Sequence, residues 1–328
     1  MTVPSGALRF NSDSGKLEYY NGEVWWQIDN FSADNATGGA RGVFGGGYIP
    51  GANQNVIDYV TISTTGNALD FGDLTVARRG GRGSLASATR GIWGGGFTSG
   101  NTDTIDFITI SSTGDAVTFG NLTSNKRDTG GLSNSTRGIF GGGVDPLLNV
   151  IEYITIASTG SAKDFGDLLN AARSLGSCSS TTRGVWGGEY LVPAQTNVIQ
   201  FVTIATLGNA ADFGDLTQAR SSANALSNST RGLWGGGSTP TTVNTIDYIT
   251  IATTGNAIDF GDLTQTGSQA ASAASPTRGV WAGGSTPTLS NVIAYVTIMT
   301  TGNAIDFGDL TVARDNGIGG LSNGHGGL

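Results

Sequence analysis

The sequence is poor in the residues from which most catalytic and metal centres are built. Its 328 residues include one histidine, His325, and one cysteine, Cys178. A single cysteine excludes an internal disulfide framework, so the fold must rest on its core. Cys178 itself, within a run of small residues, reads as a buried small apolar side chain. A single histidine excludes nearly every histidine-based metal site, including a copper centre that needs paired histidines. No apolar run reaches the length of a membrane-spanning helix. The opening residues, MTVPSGALRFNSDSGK, lack the apolar core of a signal peptide, so synthesis in a cytoplasm without membrane insertion is expected. Positive charge is also scarce: 17 Lys and Arg stand against 25 Asp and Glu, a net charge of −8, which argues against nucleic acid as a partner. No stretch carries an apolar stripe of 3.6-residue period, so helices are not expected.

Glycine, by contrast, is abundant at 54 residues, and much of it follows a long-period repeat. An Arg-Gly pair recurs at Arg41, Arg90, Arg137, Arg183, Arg231 and Arg278, at intervals of 46 to 49 residues. Each is followed three residues later by an aromatic: Phe44, Trp93, Phe140, Trp186, Trp234 and Trp281. A Phe-Gly-Asp/Asn-Leu motif recurs at Phe71, Phe119, Phe165, Phe213, Phe260 and Phe307. Such spacing means an array. In the copy from Arg231 to Thr277, the runs RGLW, TIDYITI and AIDFGDL are rich in β-branched and aromatic residues and suit strands. TTGN is a turn with Gly255 free to take positive φ, and SQAASAAS is a small-residue strand that fits only where strands crowd.

Four-stranded units at this period predict propeller blades. The small-residue strand would lie innermost, and Phe260 and its equivalents further out, where blades widen. GGLSNGHGG at 319–327 copies the inner-strand segment GGLSNSTRG at 130–138. It is expected to pair with the strand containing Val43 and Phe44 and so close the circle. The expected fold is all-β: a six-bladed propeller over 41–328, preceded by a β-meander in 1–40.

Ten of the 25 carboxylates, Asp70, Asp73, Asp164, Asp167, Asp212, Asp215, Asp259, Asp262, Asp306 and Asp309, recur at the same two repeat positions. Residues present in every copy hold copies together, so they read as turn or inter-blade acceptors, with the repeated arginines as possible partners. No catalytic residue, metal or cofactor is expected. Function is sought where the copies differ. Loops after the first and third strands of each unit are monotonous (STR or TTR, and TTGN or STGD). Those after the second vary: YIPGANQN, FTSGNTD, VDPLLN, EYLVPAQT, STPTTV, STPTLS. Loops after the fourth strand emerge on the same face and concentrate Arg and Lys. Varied loops on a rigid frame suit recognition. The expected face comprises Tyr48, Phe97, Asp145, Tyr190, Arg78, Arg79, Arg82, Lys126 and Arg127, with an anionic partner such as a charged surface glycan.

Residues 1–40 differ in kind. ALRFN, KLEYY and VWWQI, separated by tight turns, read as three strands. Alternation places Leu8, Phe10, Leu17, Tyr19 and Trp25 on one side. Tyr19, Tyr20, Trp25 and Trp26 are too many large aromatics for so small a meander to bury alone. They form either a lid on the first blade or a docking surface for another chain.

Two resemblances extend this reading. GIWGGG, TIDFITI, TFGNL, KR and GGLSNS, from Gly91 to Ser135, resemble the repeats of kelch-type propellers, with Phe where kelch blades favour Trp in the outer strand. That likeness implies architecture, since kelch propellers serve as enzymes, adaptors and adhesins alike. GALRFNSDSGKLEYYNGEVWWQI, at 6–28, resembles a short module near the start of bacteriophage tail and fibre proteins. It implies a non-enzymatic virion component in a multi-copy assembly. The module would meet other virion proteins, and the propeller face a host surface glycan, receptor or virion protein. A propeller-based carbohydrate-active enzyme and a cellular kelch-type adaptor are the alternatives.

Overall fold

A computed structural model of the chain describes residues 3–11, 16–28 and 40–328. Every regular element among them is a β-strand. The chain is all-β and is dominated by four-stranded antiparallel sheets, an arrangement consistent with a propeller-like fold. Among the described residues there are six such sheets, and each takes its innermost strand from the end of one sequence repeat and its other three strands from the next. In the second sheet these are Gly83–Ala86, Arg90–Phe97, Asn101–Thr109 and Val117–Asn121. The first sheet is assembled from distant parts of the chain. Gly319–Ser322 pairs with Arg41–Gly45, with Leu321 opposite Val43 and Gly320 opposite Phe44. Val56–Thr61 and Leu69–Asp73 complete it.

The innermost strands are made of small residues because they approach one another closely. Serine hydroxyls link them across all six junctions at 2.5–2.8 Å. Ser84 donates to the Gly320 carbonyl, Ser133 to Ala86, Ser179 to Ser133, Ser227 to Ser179, Ser272 to Ala225 and Ser322 to Ala274. The ring of strands therefore returns to its start. Cys178 belongs to this layer, and burial pushes its thiol well above the usual range. The axial space is a cavity of about 60 Å³, lined by the innermost strands and by His325. There the His325 Nε2–H donates to the Ala86 carbonyl at 2.9 Å, while Nδ1 accepts the Gly327 N–H at 3.1 Å. Burial holds the imidazole below its usual pKa, in the neutral form.

Large side chains fill the widening seams. Trp93, Trp186, Trp234 and Trp281 are buried, and each indole N–H donates to a carbonyl at the innermost strand of the preceding sheet at 2.9–3.3 Å. Further out, the repeated Phe meets a Tyr or Phe edge-on, as in Tyr59–Phe71 at 5.8 Å between centroids. The six repeated arginines stack over that same partner ring, at 4.5–4.9 Å. Each then donates to a carbonyl of the next sheet: Arg41 to Ile110, Arg90 to Ile156, Arg137 to Ile204, Arg183 to Ile251, Arg231 to Ile298 and Arg278 to Ile62 and Ser63. Their partners are carbonyl oxygens, not the repeated aspartates that the sequence offered. At the rim, a Cβ on Gly72 would lie 2.5 Å from the backbone of Gly114 in the next sheet, so the Phe-Gly glycine is required by close approach.

The N-terminal segment forms a three-stranded sheet of Leu8–Asn11, Lys16–Tyr20 and Trp25–Ile28. Its register corrects the expected alternation. Tyr19 lies opposite Trp26, and Tyr20 opposite Trp25. Cross-strand partners share a side, so the even-length turn at 21–24 puts Trp26, not Trp25, beside Tyr19 and Leu8.

Candidate functional site

The loops after the second and fourth strands meet on one face, as their order in the sequence requires. Isolated bridges join them in antiparallel register: Arg79 with Phe97, Arg127 with Val144, Arg173 with Tyr190, and Asp315 with Tyr48. Next in the chain comes one residue per sheet with positive φ, between 57° and 66°: Gly80, Asp128, Ser174, Ser222, Gln269 and Asn316. Their backbones form a hoop around the axis. The N–H of each of the first five donates to the carbonyl of the preceding member at 2.7–3.2 Å, Gly80 taking Asn316 as its acceptor. The hoop frames a cavity of about 420 Å³ whose lining includes Arg79, Arg82, Arg127, Arg173, Asp128 and Gln269.

The hoop is uniform in backbone and uneven in charge. Arg79, Arg127 and Arg173 occupy one repeat position in consecutive copies, where Ser221, Ser268 and Asp315 stand in the rest. The three arginines are steadied by aromatic rings. Arg79 lies 4.8 Å from both Tyr48 and Phe97, Arg127 5.1 Å from Phe97, and Arg173 4.9 Å from Tyr190. Asp128 lies 3.7 Å from Arg127 and 3.8 Å from Arg173.

Arg82 has no counterpart. Residues at its position in the other copies are Thr129, Leu175, Ala223, Ala270 and Ile318. The residue is 7% exposed, and Nη1 is buried with no hydrogen-bond partner among the described residues. Burial lowers its pKa; Asp128 and Asp315 act the other way, and Arg173 adds to the lowering. Burial likewise raises the pKa of Asp315, opposed by a hydrogen bond from Ser285 and by Arg82 and Arg79. Two further buried polar atoms on the cavity lining lack partners: Arg173 Nε, a donor, and Gln269 Oε1, an acceptor.

Of the residues expected on this face, Arg79, Arg82 and Arg127 line the mouth with Tyr190, and Tyr48 and Phe97 lie under Arg79. Asp145 is exposed away from it and accepts a hydrogen bond from Asn101 at 3.0 Å. Arg78 and Lys126 are withdrawn from the surface, each 1% exposed. Arg78 pairs with Asp106 at 2.7 Å and Lys126 with Glu152 at 2.6 Å, in the neighbouring sheet. Arg220–Asp247 and Arg314–Asp58, both at 2.8 Å, repeat the arrangement. Lys126 is therefore the counterpart of Arg78, Arg220 and Arg314 and, like Arg78, belongs to a sheet junction rather than to the expected recognition face. Arg173 and Gln269 join the site. The signal for Gln269 was its place in the column of hoop residues, visible only once the copies are aligned through the one-residue insertions at Gly81 and Gly317.

At the N-terminal sheet, Tyr19 is 40% and Trp26 60% exposed, with Leu8 at 60% on the same side. Tyr20 and Trp25 pack together on the other side at 5.2 Å between centroids, with Arg9 over Trp25 at 4.2 Å and bonded to Glu18 at 2.7 Å. The expected docking set of four aromatics thus splits into an exposed pair and an internally packed pair. No protein-family model matches this chain, and no curated protein matches it.

Proposed function

We propose that the six sheets are the blades of a closed, six-bladed kelch-like propeller. We further propose that the protein is a non-enzymatic structural component of a bacteriophage particle, of tail or fibre type. The N-terminal sheet docks to another virion protein, and the varied face meets the host surface or a neighbouring virion protein. The observation that carries the docking half is the apolar side of the N-terminal sheet. Leu8, Tyr19 and Trp26 lie exposed together, and aromatic residues dominate interface hot spots. The likeness of residues 6–28 to phage tail and fibre modules supplies the particle.

The test is assembly in infected cells. A tagged chain should co-purify with particles. Tyr19→Ala/Trp26→Ala should cut its incorporation at least tenfold, while the thermal transition of the purified protein stays unchanged. Particles that lack the protein, or a double variant that incorporates normally, would reject the docking reading. Turnover of a bacterial polysaccharide by the purified protein would replace it with the enzymatic alternative.

A further inference from the structure

We propose that the axial mouth binds an acidic sugar, with its carboxylate among Arg82, Arg79 and Arg173 and its hydroxyls against Gln269 and the serines opposite. The proposal deepens the host-surface part of the function proposed above and rests on it for biological context. The chemistry of the cavity can be tested without it.

Four arginines, Arg79, Arg82, Arg127 and Arg173, line one cavity in a chain whose net charge is −8. Asp128 and Asp315 are the carboxylates that face them, and neither reaches Arg82 within ion-pair distance among the described residues. Like charges held together around a cavity are costly unless an anion joins them. The propeller repeat does not demand Arg82, because five copies fold with Thr, Leu, Ala or Ile in its place. A buried donor left without a partner costs free energy that a ligand oxygen would recover.

A bare oxyanion satisfies only half of the lining. Gln269 Oε1 is a buried acceptor without a partner, and an anion would be repelled there, whereas a sugar hydroxyl would donate to it. Ser221, Ser222 and Ser268 lie on the same part of the rim. A carboxylate on a polyhydroxylated ring matches both halves, and about 420 Å³ is within the range of small-ligand sites.

The experiment is calorimetric titration of the full chain with glucuronic, galacturonic and N-acetylneuraminic acids, with glucose and inorganic phosphate as controls. At least one acidic sugar should bind saturably at one site, and glucose should not. Arg82→Thr and Arg173→Ser each install the residue that another copy carries at that position. Both should fold, with the transition of Arg82→Thr at or above that of the parent, and both should weaken binding about tenfold or more. Gln269→Ala should weaken the sugar and leave phosphate unchanged. Absence of saturable binding by all three acids at millimolar concentration overturns the proposal, as does binding untouched by Arg82→Thr. If phosphate binds as well as the acids and Gln269→Ala affects neither, the cavity is an oxyanion site and the sugar assignment fails. Failure here alongside intact incorporation of the protein into particles would reject the ligand and leave the docking function standing.

Discussion

Among the described residues, four of the six junctions between neighbouring four-stranded sheets are sealed by a buried ion pair, and two are not. In the four, a cation from the loop after one sheet reaches a carboxylate on the third strand of the next: Arg314–Asp58, Arg78–Asp106, Lys126–Glu152 and Arg220–Asp247. Where the cation is missing, at Ala172 and Gly267, the carboxylate position holds Gln200 and Ala294. Cation and carboxylate have been kept or lost together. A buried charge without its partner is the expensive state, whereas a matched pair and a matched neutral junction are both tolerable.

The two junctions without an ion pair fill the vacated space differently. At Gly96, in an ion-paired junction, an added Cβ would come within 3.0 Å of the Arg78 side chain. The equivalent position beside Ala172 is Glu189, whose carboxyl is buried and accepts a hydrogen bond from the Gln200 amide. Its other oxygen has no partner, and burial pushes its pKa up to about 7, partly opposed by the Gln200 bond. The Gly267 junction stays open, with a cavity of about 30 Å³ lined in part by Gly267, Trp281 and Ala294.

The largest effect comes from halving a pair. Asp106→Ala should lower the unfolding free energy by about 3–5 kcal/mol in urea titrations, because Arg78 is then left buried and uncompensated. Arg78→Gly/Asp106→Ala, which copies the Gly267–Ala294 junction, should recover much of that loss. A double variant as unstable as the single one would show that the pairing is incidental.

Next in size is the response to pH of the Glu189 junction. Its folded pKa lies above the unfolded value of 4.5, so the folded state holds the proton more tightly. The stabilisation is present below pH 4.5 and is lost as the pH rises through about 7. The size of the loss is about 3 kcal/mol. Glu189→Gln should flatten that slope when stability is compared from pH 4.5 to 8, and a slope unaltered by the substitution would assign the titration elsewhere.

The smallest effect separates paired from neutral junctions most cleanly. Thr217 donates its hydroxyl to Asp247 at 2.7 Å, whereas the equivalent Thr264 lines a cavity with Ala294, and no carboxylate belongs to that lining. Thr217→Val should cost about 1 kcal/mol, and Thr264→Val should stay within about 0.5 kcal/mol of the parent. Equal costs would remove the hydroxyl from the account of the sealed junctions.

The repeat made much of this architecture legible in advance. Strand-forming runs, the small residues of SQAASAAS and the copied GGLSN segment each pointed to where those residues lie, because period and side-chain size leave marks in sequence. Contacts to backbone leave none. Arg41 and its five equivalents find carbonyl oxygens as partners, which no pattern of side chains announces. The role of Lys126 was hidden for another reason: its partner Glu152 lies in the next repeat, and only a column-by-column comparison of the copies shows the two positions changing together. Trp25 and Trp26 were exchanged because the turn length, not the alternation within a strand, sets which side a returning strand presents.

The first sheet also imposes an order in time. Its second, third and outermost strands are complete by Asp73, but the strand that covers their inner edge begins at Gly319. The Asn323 side chain accepts from the Arg41 N–H across a sequence separation of 282 residues. At ordinary translation rates, the ribosome needs on the order of tens of seconds to make the intervening chain. Throughout that interval the Arg41–Gly45 edge is open to any other strand, including the same strand of a second nascent chain. The other five sheets, each contiguous in sequence, have no such wait. Faulty pairing during synthesis should therefore start at Arg41–Gly45, and substitutions that leave the finished protein's stability untouched can still change its yield there.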